Sequence, residues 1–167
     1  MIMDKLIGNI IHQGQTLIAE QVIGSTESNI DGIQYYDTTG YGDLGTIVII
    51  PGICSCAADW CEVVAKLRPR YTRIVVMDLP GFGTSSPISS DCSDLGAEYM
   101  RKITSFINEL ICEPYILVGH SFGGGIVAKF ATTSEQHPNL KGIFLIAPAG
   151  VEMDHARIDY LSELFTG

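Results

Sequence analysis

The residues best equipped for chemistry are the run Gly119-His120-Ser121-Phe122-Gly123. The pattern G-x-S-x-G acquires meaning when a strand leads into it and a helix leaves it. Both conditions hold here. The apolar run Tyr115 to Val118 precedes it, and a helical pattern begins around Phe122. A serine on such a turn has its hydroxyl lifted above the sheet. Gly119 and Gly123 leave room for backbone to approach where a side chain would clash. A helix that starts just after the serine points its unpaired N–H groups toward it. The chemistry this suggests is attack by Ser121 on an acyl carbonyl, with the Phe122 N–H stabilising the oxyanion that develops. The alternative is a tight strand–helix turn with no chemistry.

Two more loops lie at the carboxyl ends of predicted strands, where open α/β sheets place their sites. Pro51-Gly52-Ile53 follows TIVII, and the Ile53 N–H is the candidate for a second oxyanion donor. Asp78-Leu79-Pro80-Gly81-Phe82-Gly83-Thr84-Ser85 follows RIVVM. Asp78 is expected to accept backbone hydrogen bonds and hold that loop. It precedes the serine, whereas a catalytic acid is expected after it. His120 is expected to pack or bond beside the site, because neighbours at such a turn point in different directions.

A serine hydroxyl needs a base, usually a histidine oriented by a carboxylate. Only His137 and His155 follow Ser121. His137 is expected at the far end of the helix that Ser121 begins, roughly 24 Å away at 1.5 Å rise per residue, which excludes it. His155 as base and Asp154 as acid are the candidates left within this chain; the alternative for both is a solvated loop or helix start. Cys54, Cys56 and Cys61 have the spacing C-x-C-x4-C, which matches no tight zinc pattern. No metal and no cofactor are expected.

The elements that position these residues follow from periodicity. Apolar runs at 46–50, 73–77, 115–118 and 142–146 predict strands. Between them lie three helical patterns: Trp60, Val63, Val64 and Leu67; Tyr99, Ile103, Phe106, Ile107 and Leu110; and a helix from Phe122 to near His137-Pro138. Strands separated by helical crossovers predict a parallel sheet with helices on its faces and right-handed connections. The loop from Pro80 through SSPISSD is expected to be mobile. Stretches 16–23 and 32–38 read as extended, with turns at Gly14, Gly24-Ser25, Gly32 and Gly40, and predict an antiparallel edge. The chain reads as one domain: N-terminal edge strands over 1–45, a parallel core over 46–150, and a partly amphipathic segment over 151–167 with Ile158, Leu161, Leu164 and Phe165 in helical phase.

Composition excludes several function classes. The 167 residues are 46% hydrophobic and 17% charged, enough to bury a real core. The net charge of -9 argues against nucleic acid, whose phosphates need Lys and Arg, and against electrostatic attachment to an anionic membrane. No run of 18 apolar residues predicts a transmembrane span. Five cysteines, an odd count, without a secretory signal at the start predict free thiols in a reducing compartment, the cytoplasm. The sequence carries no signal for oligomeric state.

Four motifs taken together resemble one family. IVIIPG at 47–52, DLPGFGTSS at 78–86, LVGHSFGG at 117–124 and FLIAPAG at 144–150 are similar, in order and spacing, to those of the α/β-hydrolase superfamily, in its branch of serine esterases and lipases. The resemblance implies an α/β fold: a mostly parallel sheet with helices on both faces, an antiparallel N-terminal edge, and the family's C-terminal strands missing. It implies Ser121 as nucleophile and Ile53 and Phe122 as oxyanion donors, with Gly52, Asp78, Gly119, His120 and Gly123 structural around them. Trp60 matches a frequent family aromatic but is also in phase with the apolar face. Pro51 departs from the histidine that many members carry there. The family's acid and base follow later strands, and its cap begins near 151. The implied activity is hydrolysis of carboxylic esters or related acyl compounds, with a small hydrophobic ester or acyl substrate. An acyltransferase of the same fold and a non-catalytic truncated module are the alternatives. A serine nucleophile separates the chain from relatives that use aspartate on epoxides or carbon–halogen bonds.

Overall fold

Strands that are apolar on every residue must be covered on both faces, and the fold meets that demand for the runs at 46–50 and 73–77. The computed structural model of the chain describes residues 25–132 and 137–150, together with Gly14. The runs predicted as strands form β3 (Thr46–Ile50), β4 (Arg73–Met77), β5 (Tyr115–His120) and β6 (Leu140–Ile146). β3 pairs in parallel with β4 and β5, and β5 with β6. β1 (Ser25–Ile30) and β2 (Ile33–Thr39) form an antiparallel hairpin, and β2 joins β4 antiparallel. The sheet order is β1-β2-β4-β3-β5-β6. This is the mixed sheet with an antiparallel edge that the sequence predicts.

The helices are a 3-10 turn at Ala57–Trp60, α1 (Cys61–Leu67), α2 (Leu95–Leu110) and α3 (Phe122–Ala131). Asp94 caps α2, its side chain accepting from the Ala97 N–H at 2.9 Å. On one face of the sheet Val48, Ile50, Val75, Met77 and Leu117 pack against α2 residues Ile103, Phe106 and Ile107 and α3 residues Ile126, Val127 and Phe130. On the other, Ile47, Ile49, Ile74, Val76 and Val118 meet Ala57, Ala58 and Val64. Each fully buried Val, Ile, Leu, Met or Phe among them contributes about 1.5–3 kcal/mol.

The second face is less covered. Trp60, Val63, Leu67, Ile116, Phe144 and Ile146 are among the residues around an apolar groove of about 440 Å³. Phe144 on β6 is 62% exposed and Val63 on α1 is 41% exposed. The amphipathic pattern read for α1 therefore buries Val64 and leaves Val63 open. β6 forms the edge of the sheet, bonded only to β5 among the described residues.

Several boundaries differ from expectation. Ser25 begins a strand rather than ending a turn. The strand STESNI is polar, so it carries no alternating apolar signal; its real signal is Asp31-Gly32, whose φ values of 47° and 79° make the tight hairpin turn that favours such pairs. Gly14 is helical rather than in a turn, and the stretch 16–23 lies outside the described residues. The helix after Ser121 ends at Ala131, not near His137. β6 begins two residues before the predicted strand.

At the amino end of the sheet, Arg73 ties three elements together. Its Nη2 lies 2.6 Å from Asp37 Oδ2 on β2, and its Nη1 lies 2.8 Å from Glu113 Oε1 just before β5. Thr46 Oγ1 on β3 donates to the same Glu113 oxygen at 2.7 Å. Among the described residues no helix is long and apolar enough to cross a membrane.

Candidate active site

Ser121 stands between β5 and α3 with φ 52° and ψ -120°. That is backbone that glycine ordinarily takes, so neighbours must hold it. Its N–H donates to the Ile146 carbonyl at the end of β6 at 2.9 Å. Its carbonyl accepts from the Ala149 N–H at 2.7 Å and the Gly125 N–H at 3.2 Å. The turn is thus fastened to the next strand and its loop as well as to its own helix. Of the four non-glycine residues with positive φ among those described, three follow strand ends on this side: Cys54, Ser121 and Ala147. Strained backbone of this kind clusters at functional sites.

Close backbone approach explains the glycines. A Cβ on Gly119 would stand 2.5 Å from the Gly123 carbonyl oxygen, and one on Gly123 would overlap the Pro51 and Ile50 carbonyl oxygens. The start of α3 therefore rests directly on the carboxyl end of β3. A Cβ on Gly52 would come within 3.0 Å of Ser121 Cβ and 3.3 Å of His120 Nδ1. The loop carrying Ile53 consequently passes against the serine.

Ile53 is 53% exposed. No described group accepts a hydrogen bond from the N–H of Ile53 or of Phe122. The Phe122 ring meets Tyr99 edge-on at 5.5 Å, and the Tyr99 hydroxyl donates to the Pro80 carbonyl at 2.8 Å. His120 meets the indole of Trp60 edge-on at 6.0 Å. Trp60 thus packs beside the site as well as lining the groove.

Asp78 is buried, one residue past β4. Its Oδ1 accepts from the Ala57 N–H at 2.6 Å. Its Oδ2 accepts from the Thr84 N–H at 2.9 Å. Gly83 lies so close to the carboxylate that a Cβ there would overlap it. The Ser85 hydroxyl donates to the Asp78 carbonyl at 2.9 Å and accepts from the Gln34 N–H at 2.8 Å. The carboxylate holds its own loop, as the sequence suggests, and reaches the loop after β3 as well.

Cys54 is exposed, Cys56 and Cys61 are half-buried, and burial pushes the thiols of Cys56 and Cys61 up. Among the described residues no three His, Cys, Asp or Glu side chains converge on a metal-sized site.

His137 lies at the opposite end of the sheet. Its carbonyl accepts from the Leu140 N–H, while Asn139 bonds the first residue of β5. A strand that length puts it roughly 20 Å from Ser121 at about 3.3 Å per residue. The expected exclusion stands for a different reason from the one given by helix length. The ring stacks on Phe130 at 3.9 Å, and burial holds its pKa below the usual imidazole range. Asp154 and His155 lie outside the described residues.

Sequence reading missed the backbone donors of Ala57 and Ala149 and the acceptor of Ile146. The motif FLIAPAG pointed to the last two without assigning them a part. Nothing in the sequence marks Ala57.

A family model described as the alpha/beta hydrolase fold matches residues 45–164. The dihydrolipoyllysine-residue acetyltransferase component of the acetoin cleaving system of Cupriavidus necator is 30% identical over 123 residues, 74% of this chain and 32% of that protein. Protein phosphatase methylesterase 1 of Bos taurus is 30% identical over 141 residues, 81% of this chain and 36% of that protein. A crystal structure of a bacterial membrane phospholipase A superposes with a TM-score of 0.71 at 22% identity, covering 94% of this chain and 51% of that one. The chain spans about a third of the length of these two curated relatives.

Proposed function

The chain belongs to the α/β-hydrolase fold family, and on that premise we propose that it carries the nucleophile half of a serine acyl hydrolase. The observation that carries the reading is the backbone of Ser121, which holds φ 52° through bonds from Ala149 and Gly125 and to Ile146. Such strain supports a nucleophile held out from the strand, not an ordinary connection.

In this reading Ser121 Oγ attacks the carbonyl carbon of an ester or thioester as a base takes its proton. The N–H groups of Ile53 and Phe122 stabilise the oxyanion, each such donor supplying about 10²–10³ in kcat. The leaving alcohol or thiol departs with the proton from the base, and water then releases the acid from the acyl-enzyme. Asp154 and His155 are the acid and base candidates within this chain. His155→Ala abolishes ester turnover if His155 is the base, and unchanged turnover removes it.

A small hydrophobic ester or acyl substrate fits the apolar surroundings. Tyr99, Met100, Phe122, Leu145 and Pro148 are among the residues around a hollow of about 550 Å³. None of the five cysteines, all among the described residues, is joined in a disulfide, which supports a cytoplasmic setting. The relative named as an acetyltransferase favours a second reading, in which the acyl group passes to an acceptor rather than to water.

A fluorophosphonate probe tests the central claim. Covalent labelling of the folded chain that disappears in Ser121→Ala is the expected result. A folded wild-type chain that takes no label sinks the reading and leaves a non-catalytic module.

A further inference from the structure

We propose that Asp78 is a positioning residue for the oxyanion donor of Ile53, fixing the loop after β3 to the loop after β4. The inference rests on the hydrolase reading for its catalytic consequence, and on geometry alone for the coupling of the two loops.

The loop that carries Ile53 is held at both ends. At its start Gly52 lies against Ser121 and His120, where a Cβ would be tight at 3.0 Å and 3.3 Å. At its end Ala57, the first residue of the 3-10 turn, donates its N–H to Asp78 Oδ1 at 2.6 Å. Between them the Ser55 N–H closes back on the Gly52 carbonyl at 3.4 Å, and Cys54 takes φ 62°. A short segment with fixed ends and one left-handed residue has little freedom, so the direction of the Ile53 N–H follows from the two anchors.

The second anchor comes from far along the chain. Asp78 is 3% exposed and extends β4, the strand beside β3. Its other oxygen accepts from Thr84, so one carboxylate joins two loops that share no backbone hydrogen bond among the described residues. Charge-assisted bonds from backbone N–H groups are the short, strong kind. Asp59 offers a local comparison. Its Oδ2 accepts from the Cys56 N–H at 2.9 Å and the Ser55 hydroxyl at 3.1 Å, but the residue is exposed and belongs to the same segment. Those two bonds shape the turn from within.

Asp78→Asn separates positioning from packing. The amide matches the carboxylate in shape but must turn an NH2 toward either Ala57 or Thr84, both donors. Turnover of an activated ester by the full chain is expected to lose about tenfold or more in kcat with KM within about twofold, since an oxyanion donor acts mainly in the transition state. The rate of fluorophosphonate labelling falls in parallel. A lower melting temperature with kcat per folded molecule unchanged overturns the proposal. Should Asp78→Asn fail to fold, Ser85→Ala leaves the carboxylate in place and removes the hydroxyl that joins the Asp78 carbonyl to the Gln34 N–H, and a smaller fall in kcat at constant KM is expected; no fall overturns it.

Amide hydrogen exchange gives a readout that needs no catalysis. Asp78→Asn (or Ser85→Ala) is expected to speed exchange at residues 53–57 while strand β3 keeps its protection. Unchanged exchange at 53–57 overturns the proposal. Faster exchange there in a chain whose wild type takes no probe keeps the loop coupling and refutes the hydrolase reading instead.

Discussion

The two ends of the parallel sheet are fastened by different physics. At the amino end a cation does the joining: Arg73 bridges Asp37 and Glu113, and the nearby His137 ring lies buried on Phe130. At the carboxyl end, where Ser121 stands, the fastening is uncharged donors on one buried carboxylate and backbone packed on glycine. The difference teaches where titration and salt can act. The amino end holds charged pairs that protons and ions weaken. The carboxyl end depends on close backbone packing around one buried carboxylate, so it resists a change of volume.

The largest effect is expected from adding volume at the carboxyl end. Gly123→Ala forces a methyl into the Pro51 and Ile50 carbonyl oxygens. It should cost about 3 kcal/mol of stability and end probe labelling of Ser121. Chemical denaturation and labelling together read it, and a stable, labelled variant breaks the contrast.

A smaller effect is expected from Arg73→Met at the other end. Glu113 is 38% exposed, so the loss is set below that of a fully buried pair, at about 1–2 kcal/mol. Labelling per folded molecule should not change. Burial pushes the Glu113 carboxyl up, but bonds from Arg73 and Thr46 outweigh it and hold its pKa below the ordinary 4.5. A lowered carboxyl pKa makes the unfolded chain the stronger proton binder. Its stabilisation is full above pH 4.5 and disappears as the pH falls through the lowered value. Melting temperatures across that range should fall more steeply in wild type than in Arg73→Met; equal slopes would count against the charged tie.

The smallest effect sharpens the same point. His137→Phe keeps the stack on Phe130 and removes the titration. The folded pKa of His137 lies below the ordinary 6.5, so wild type loses stability as the pH falls from there toward the folded value. The variant should show a flatter profile over that interval by thermal melting. An unchanged slope would mean that His137 binds its proton equally well in both states.

The same contrast explains what the sequence discloses. The parallel strands and Ser121 are legible because their causes are local: β-branched runs, and glycines where backbone meets backbone. The hairpin strand 25–30 is not, because polar edge strands need no apolar alternation. The role of Asp78 is legible only halfway. Its grip on Thr84 is six residues off, but its grip on Ala57 crosses from one strand to the next. A backbone N–H leaves no trace in residue identity, so no pattern could have named that partner. α3 ends at Ala131, short of what its sequence suggests.

The bond from Ser121 to Ile146 has a mechanical side. Ser121 takes its backbone shape partly from β6, which among the described residues pairs on one side only. An inner strand is held by hydrogen-bond ladders on two flanks, whereas a strand paired on one side leaves a row of backbone groups unpaired. The serine turn therefore borrows its shape from the strand of the parallel set that has one such ladder among the described residues. Anything that lies along Phe144 and Ile146 and braces that strand also tunes how firmly the serine is presented.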